Sequence, residues 1–228
     1  KSGTSLQEYK PKGEKAPCEF GWDAVTTIQN SNADIVCELS YTDVKTAEPA
    51  LTHCKTSFKN GKHVVTSNKG PATIKYSELK QSAEKYGVQF FIEGTVMSGT
   101  PVLNLAKGPL AGCSISAVSG ILNGTTNYIL TEMEAGKSYE DVLKTTQELG
   151  YAEADPAGDV EGYDAMAKVI ILANVVMGAD ISAENVDREG ITGITPEMIN
   201  DAKQKNARWK LIGSVEKSNG KIAASVKP

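Results

Sequence analysis

From Ala33 onward the apolar positions switch between two periods. Short β-branched runs at Ile35–Leu39, Lys62–Thr66 and Val88–Ile92 alternate with amphipathic stretches of helical period at Ala47–Asn60 and Tyr76–Tyr86. Gly61 and Gly87 stand where a left-handed residue closes a helix. The polar loops Ser40-Tyr41-Thr42-Asp43 and Ser67-Asn68-Lys69-Gly70-Pro71 follow the first two runs. Strands and helices alternating at these lengths predict βαβ units around a parallel sheet.

Beyond Pro101 the rhythm changes. A strand is expected at Cys113–Val118, then helices at Thr125–Ala135 and Tyr139–Leu149, the second capped by Ser138 with Asp141 three residues on. The acidic segment Gly150–Gly162 leads into a long apolar helix, Tyr163–Met177. Thr195-Pro196-Glu197 reads as a helix start, with proline in its favoured first position. Lys210–Lys217 and Lys221–Val226 flank Asn219-Gly220, a hairpin signal. The chain is therefore divided near 105: residues 1–105 form an α/β nucleotide-type half, and 106–228 form a second, α+β domain.

Composition narrows the class of function. Net charge is −4 with lysines dispersed along the chain, which argues against nucleic-acid or membrane-surface binding. No run approaches the ~20 apolar residues that span a bilayer, and Lys1–Pro17 lacks the apolar core of a signal peptide. Cys18, Cys37, Cys54 and Cys113 show no C-x-x-C spacing. Cys37 and Cys113 fall in strand-like contexts where a buried, reduced thiol is expected. The pattern is that of a reduced, soluble, cytoplasmic protein. His53 and His63 sit inside predicted elements and read as structural.

Candidate chemistry is concentrated in two places. Lys69 lies just past the carboxyl end of a predicted parallel strand, where open α/β sheets bind ligands; by position alone, a solvated loop lysine is the alternative. The second place is Tyr151–Asp164, which carries Glu153, Asp155, Asp159, Glu161 and Asp164. A calcium loop is excluded because Ala157 and Val160 occupy positions that need a ligand and a glycine. Asp164 and Lys168 are four apart on one helix face, and Val169–Ala173 beyond them is apolar. That pattern suits a partly buried ammonium in an acid–base site, with a surface ion pair as the plain alternative. The sequence contains no G-x-G-x-x-G, P-loop or G-x-S-x-G.

Taken together, the strings ThrSerAsnLysGlyPro (66–71), GluGlyThrValMetSerGlyThrPro (93–101), GlyIleLeuAsnGlyThrThrAsnTyrIleLeu (120–130), GlyTyrAlaGluAlaAspPro (150–156) and AspValGluGlyTyrAspAlaMetAlaLys (159–168) resemble the signatures of homoserine dehydrogenases, in order and spacing. The resemblance runs from about residue 33 to the end. It implies a partial Rossmann-type domain followed by an α+β catalytic and dimerisation domain. The activity implied is interconversion of L-homoserine and L-aspartate 4-semialdehyde with NADP or NAD, in threonine and methionine biosynthesis.

Position by position, the resemblance makes Lys69 and Lys168 the catalytic lysines. It places Gly124, Thr125, Tyr151, Glu153, Asp159 and Asp164 around the amino acid substrate. Ser40, Tyr41 and Thr42, with Lys69, fall at the nicotinamide end of the cofactor site. Glu93, Val96, Ser98 and Thr100 match a loop whose carbonyls hold a monovalent cation such as Na+ in similar enzymes. A homodimer through the second domain is implied as well. Such enzymes open with a glycine-rich cofactor motif and end with further strands and a helix, so the sequence is expected to be a fragment.

The chemistry asked of the lysines is specific. Oxidising a primary alcohol needs a base for the hydroxyl proton, and lysine at its reference pKa of ~10.4 is a poor one near neutrality. A second ammonium and desolvation both lower it, which Lys69 and Lys168 do for each other if they converge. In reduction, the same ammonium gives its proton to the developing alkoxide. Two rivals stay open at this point. One is a Schiff-base aldolase using Lys69, disfavoured by too few βα units for a barrel. The other is a non-catalytic amino-acid-binding or dimerisation module of the same fold.

Overall fold

Asp23 opens the first described helix. Its carboxylate accepts the Thr26 backbone N–H at 2.6 Å and caps α1 (Ala24–Asn30). The structure is a computed structural model that describes residues 21–150, 152 and 155–228. Three short strands then pair in parallel: β1 (Ile35–Glu38), β2 (His63–Thr66) and β3 (Phe90–Phe91), in the order β1-β2-β3. Val36 stands opposite Val64, and Val64 opposite Phe90. The connections run through α2 (Ala50–Lys59), then α3 (Lys69–Ile74) and α4 (Tyr76–Lys85). Leu51, Cys54 and Phe58 of α2 pack with Val64 of β2 and with Leu79 and Ala83 of α4. Phe58 meets Phe90 edge-on, 5.6 Å between ring centroids. Burying side chains such as Phe58 and Leu79 contributes about 1.5–3 kcal/mol each, and both are fully buried.

One expected loop is different. Ser67–Pro71 ends in a helix, because Asn68 accepts the Gly70 N–H at 3.0 Å and caps α3. Asparagine is a preferred cap, and Pro71 is tolerated in the first turn, where N–H groups lack helical partners anyway. Lys69 is thus the first residue of a helix rather than a loop lysine.

The second unit is built around a long helix. Its described elements are α5 (Val102–Lys107), β4 (Ala117–Gly120), α6 (Gly124–Glu134), α7 (Tyr139–Glu148), α8 (Ala157–Val160), α9 (Tyr163–Val176), β5 (Val186–Arg188), α10 (Pro196–Gln204), β6 (Ile212–Ser218) and β7 (Lys221–Lys227). The sheet order is β4-β6-β7-β5, antiparallel except for the β5–β7 pair. Asn219 and Gly220 take φ of 51° and 76°, the left-handed pair that a two-residue hairpin requires. Helix α9 lies against β6, β7 and β5 and is also packed by α5, so its residues from Val169 to Asn174 are all buried. Gly213 makes this approach possible: a Cβ there would stand 2.6 Å from Leu122 Cδ1 and 2.8 Å from Val169 Cγ2.

The architecture is the expected parallel α/β sheet followed by a mixed α+β unit. The division falls between Ser98 and Gly99; a boundary at 105 lies inside α5, whose Leu103 is buried. The strand expected at Cys113–Val118 forms instead at Ala117–Gly120. Cys113 sits in a turn, its N–H donated to Leu110 O at 2.9 Å. Cys113 and Cys37 are exposed rather than buried: the first lies off the sheet, and the second alternates with Val36 and Glu38, on the side of β1 that also carries the exposed Ile35.

Candidate active site

Helix α9 begins at Gly162, whose φ of 83° turns the chain sharply out of α8. One turn in, Asp164 and Lys168 share a face, and Lys168 Nζ donates to Asp164 Oδ2 at 2.6 Å. Their side chains are 20% and 15% exposed, so this is not a solvated surface pair. The same ammonium donates to Leu122 O at 2.6 Å, at the end of the β4 segment. Two of its three protons are used by these bonds.

The next residue, Asn123, joins the pieces. It is 5% exposed and caps α6, its Oδ1 accepting the Thr126 N–H at 2.8 Å. Its Nδ2 donates to Asp159 Oδ1 at 2.6 Å and to Asp164 Oδ2 at 2.9 Å. Asp159 from α8, Asp164 and Lys168 from α9, and the first turn of α6 therefore converge. Gly124 and Thr125 occupy that first turn, the former exposed and the latter half-buried. Tyr151 and Glu153 lie outside the described residues.

The α8–α9 corner is held from behind by the β5 segment. Arg188 donates to Glu161 O and lies 3.8 Å over the Tyr163 ring. Ile191 N–H donates to Val160 O at 2.8 Å. Only glycine fits at 190, because a Cβ there would stand 2.3 Å from Val160 O and 2.5 Å from Glu161 Cα.

The other sequence-predicted residues, Thr100 apart, lie in the first unit. Asn68 Nδ2 donates to Ser40 O (3.1 Å) and Tyr41 O (2.9 Å), which fixes the loop after β1 next to the start of α3 and Lys69. Tyr41 and Thr42 are exposed. Glu38, missed in the sequence, is buried; its Oε1 accepts from Ser40 N–H (3.1 Å) and Oγ–H (2.5 Å) and faces His53 Nδ1 at 3.3 Å. These groups line an open cavity of about 360 Å³ with Trp22 and Ile28. Behind it, burial and then the Glu38 charge push the Cys54 thiol up to about 12. His63 is structural: its Nδ1 accepts the Gln89 N–H at 2.9 Å.

A polar, exposed loop fixed at the carboxyl ends of parallel strands fits the ribose end of a nicotinamide cofactor. The cation loop fits less well. Glu93 O already accepts the Val96 N–H at 3.4 Å and Thr100 O the Val102 N–H at 2.8 Å. Met97 and Ser98 take φ of 58° and 52°. Among the described residues, no group of three His, Cys, Asp or Glu side chains is placed to hold a metal, and no helix is long and apolar enough to cross a membrane.

Comparison with known proteins follows the same lines. The family model for homoserine dehydrogenase matches residues 101–228. An NAD(+)-dependent homoserine dehydrogenase of Pseudomonas canavaninivorans is 47% identical over 202 residues, covering 88% of this chain and 57% of that protein. The crystal structure of a homoserine dehydrogenase from Thiobacillus denitrificans superposes with a TM-score of 0.79 at 39% identity, covering 86% of this chain and 44% of that one. A hyperthermophilic archaeal homoserine dehydrogenase mutant, solved in complex with NADPH, gives 0.76 at 29% identity, covering 91% and 60%. The chain thus spans a little over half the length of the curated relative described, 57%.

Proposed function

This chain belongs to the homoserine dehydrogenase family, and from that premise we propose that the complete gene product interconverts L-homoserine and L-aspartate 4-semialdehyde with NAD or NADP. The observation that carries the reading is the Lys168 ammonium, held by Asp164 and Leu122 O beside the first turn of α6. Hydride exchange at the substrate carbon is the chemistry a bound nicotinamide supplies. This chain's residues handle the proton and the amino acid. In reduction, the third Lys168 proton goes to the developing alkoxide; in oxidation, the same nitrogen, or Lys69, takes the hydroxyl proton. Asp164 orients Lys168 and the substrate. Asp159, Gly124 and Thr125 border the substrate, and Glu153 supplies the counter-charge for its ammonium, with Tyr151 alongside. Ser40, Tyr41 and Thr42 take the nicotinamide ribose. One relative is named for NAD(+) and another, a mutant, was solved in complex with NADPH, so both cofactors belong in the assay.

A role in threonine and methionine biosynthesis and a cytoplasmic location go with this activity. A monovalent cation at the carbonyls of Glu93, Val96, Ser98 and Thr100 is left out of this reading, since two of those carbonyls already accept backbone N–H groups. We read the protein as a homodimer formed through the second unit. The non-catalytic module of the same fold is not favoured by the family assignment, and neither is the aldolase.

The test is direct. The complete gene product, given L-homoserine and either oxidised cofactor, should show absorbance growth at 340 nm, and the semialdehyde should consume the reduced form. Failure with both cofactors in both directions would set the reading aside.

A further inference from the structure

We propose that Asn123 is a positioning residue of the active site: one buried amide that holds Asp159 and Asp164 together and so aims Asp164 at Lys168. The inference rests on the reading of Lys168 as the proton-handling group. Its own evidence is geometric. The amide nitrogen carries two protons and gives one to each carboxylate, at 2.6 Å to Asp159 Oδ1 and 2.9 Å to Asp164 Oδ2. That second oxygen is the one that also accepts from Lys168 Nζ. The amide oxygen faces the other way and caps α6 through the Thr126 N–H and hydroxyl. Asn123 therefore ties the start of α6, where Gly124 and Thr125 lie, to carboxylates from α8 and α9.

The residue type is required. Two carboxylates brought to one point repel each other, and a donor with two protons between them offsets that repulsion. Serine and aspartate would cap α6 as well as asparagine does. Neither can bridge: the serine hydroxyl is too short to reach both acids, and aspartate replaces the donor with a third acceptor. An amide is the side chain of this size that accepts on one side and donates twice on the other.

That difference separates a positioning role from a merely structural one. If Asn123 only caps the helix, Asn123→Ser and Asn123→Asp should both behave as wild type. If it positions Asp164, kcat/KM for homoserine should fall roughly ten- to a hundred-fold, the scale of a small misplacement of reacting groups. The aspartate variant should be worse than the serine variant; thermal unfolding should stay close to wild type in Asn123→Ser and fall in Asn123→Asp, where a third carboxylate faces the other two.

A second readout needs no turnover. Acetylation of Lys168 by a small amine-directed reagent, followed by peptide mass spectrometry on the protein without substrate, should speed up several-fold in Asn123→Ser relative to the other lysines. Wild-type inactivity toward homoserine would overturn the proposed reaction, while the acetylation rate would still test the positioning. Unchanged kcat/KM in both single variants, or an unchanged Lys168 rate, would overturn the role of Asn123.

Discussion

Lys168 is held at two points of its three-proton head, by a carboxylate on its own helix and by a carbonyl from the β4 segment. Replacing it tests whether the third point faces chemistry. In the complete gene product, Lys168→Ala should lower kcat by roughly two to four orders of magnitude, the usual weight of a general acid–base group. Lys168→Arg should not restore it, since a guanidinium keeps its proton across the working pH range. Circular dichroism should show the fold intact; near-normal turnover in the alanine enzyme would move the proton chemistry to Lys69. Thiol reactivity gives a second check at this scale. Cys54 is fully buried, and its thiol is pushed up to about 12, so at pH 8 it holds almost no thiolate. Iodoacetamide should label the exposed Cys37 and Cys113 in the native protein and reach Cys54 only after unfolding. Labelling of native Cys54 at a rate like the others would contradict its burial. The Asp164–Lys168 pair was legible in the sequence because its spacing is local. Asn123 was not, because its bonds reach 36 and 41 residues along the chain; only its place before a helix start hinted at a cap. The two exposed cysteines were misplaced for a related reason: apolar neighbours forecast a strand, but cover is supplied by distant elements.

At the scale of elements, the corner between α8 and α9 sets where the acids point. It is braced by the β5 segment through Arg188, Gly190 and Ile191. Gly190→Ala would drive a methyl group into the backbone of Val160 and Glu161, so stability should fall by about 1–3 kcal/mol, the range for overpacking. Asp159 and Asp164 flank the displaced turn, so homoserine turnover should fall with it. Gly193 is the control, because a Cβ there meets nothing within 4 Å; Gly193→Ala should stay within about 0.5 kcal/mol. Urea unfolding of the pair decides it, and equal midpoints would mean the brace is looser than drawn. The helices α2, α4, α6, α7, α9 and α10 and the Asn219-Gly220 hairpin were readable, since each carries its own period, cap or turn residues. β5 was not. Three residues offer no alternation to read, and Val186–Arg188 becomes a strand because β7 pairs with it. The helix at Lys69 was hidden by Gly70 and Pro71, ordinarily signals of a loop.

At the scale of the whole molecule, the second sheet has a side against which no described helix packs. Helix α9 covers the side that carries Val215, Ala224 and Val226. The register puts Ala117, Ser119, Ser214, Glu216, Ala223 and Ser225 on the opposite side, exposed or half-exposed and mostly small. Small side chains on a sheet let a second sheet approach closely, and a face that pairs with its own copy about a two-fold axis is the commonest way to form a dimer. Sedimentation of the complete gene product should therefore show a dimer. Ser214→Arg should weaken it strongly, because the axis brings each long side chain in twice on a face lined mostly by small residues. Lys144→Glu, on α7 and away from this sheet, should leave association unchanged. The arginine side chain has solvent to occupy in the monomer, so Ser214→Arg should lower the association constant while circular dichroism of the separated subunits stays native. A wild-type protein that sediments as a monomer at high concentration, or a dimer indifferent to Ser214→Arg, would place the contact elsewhere or remove it.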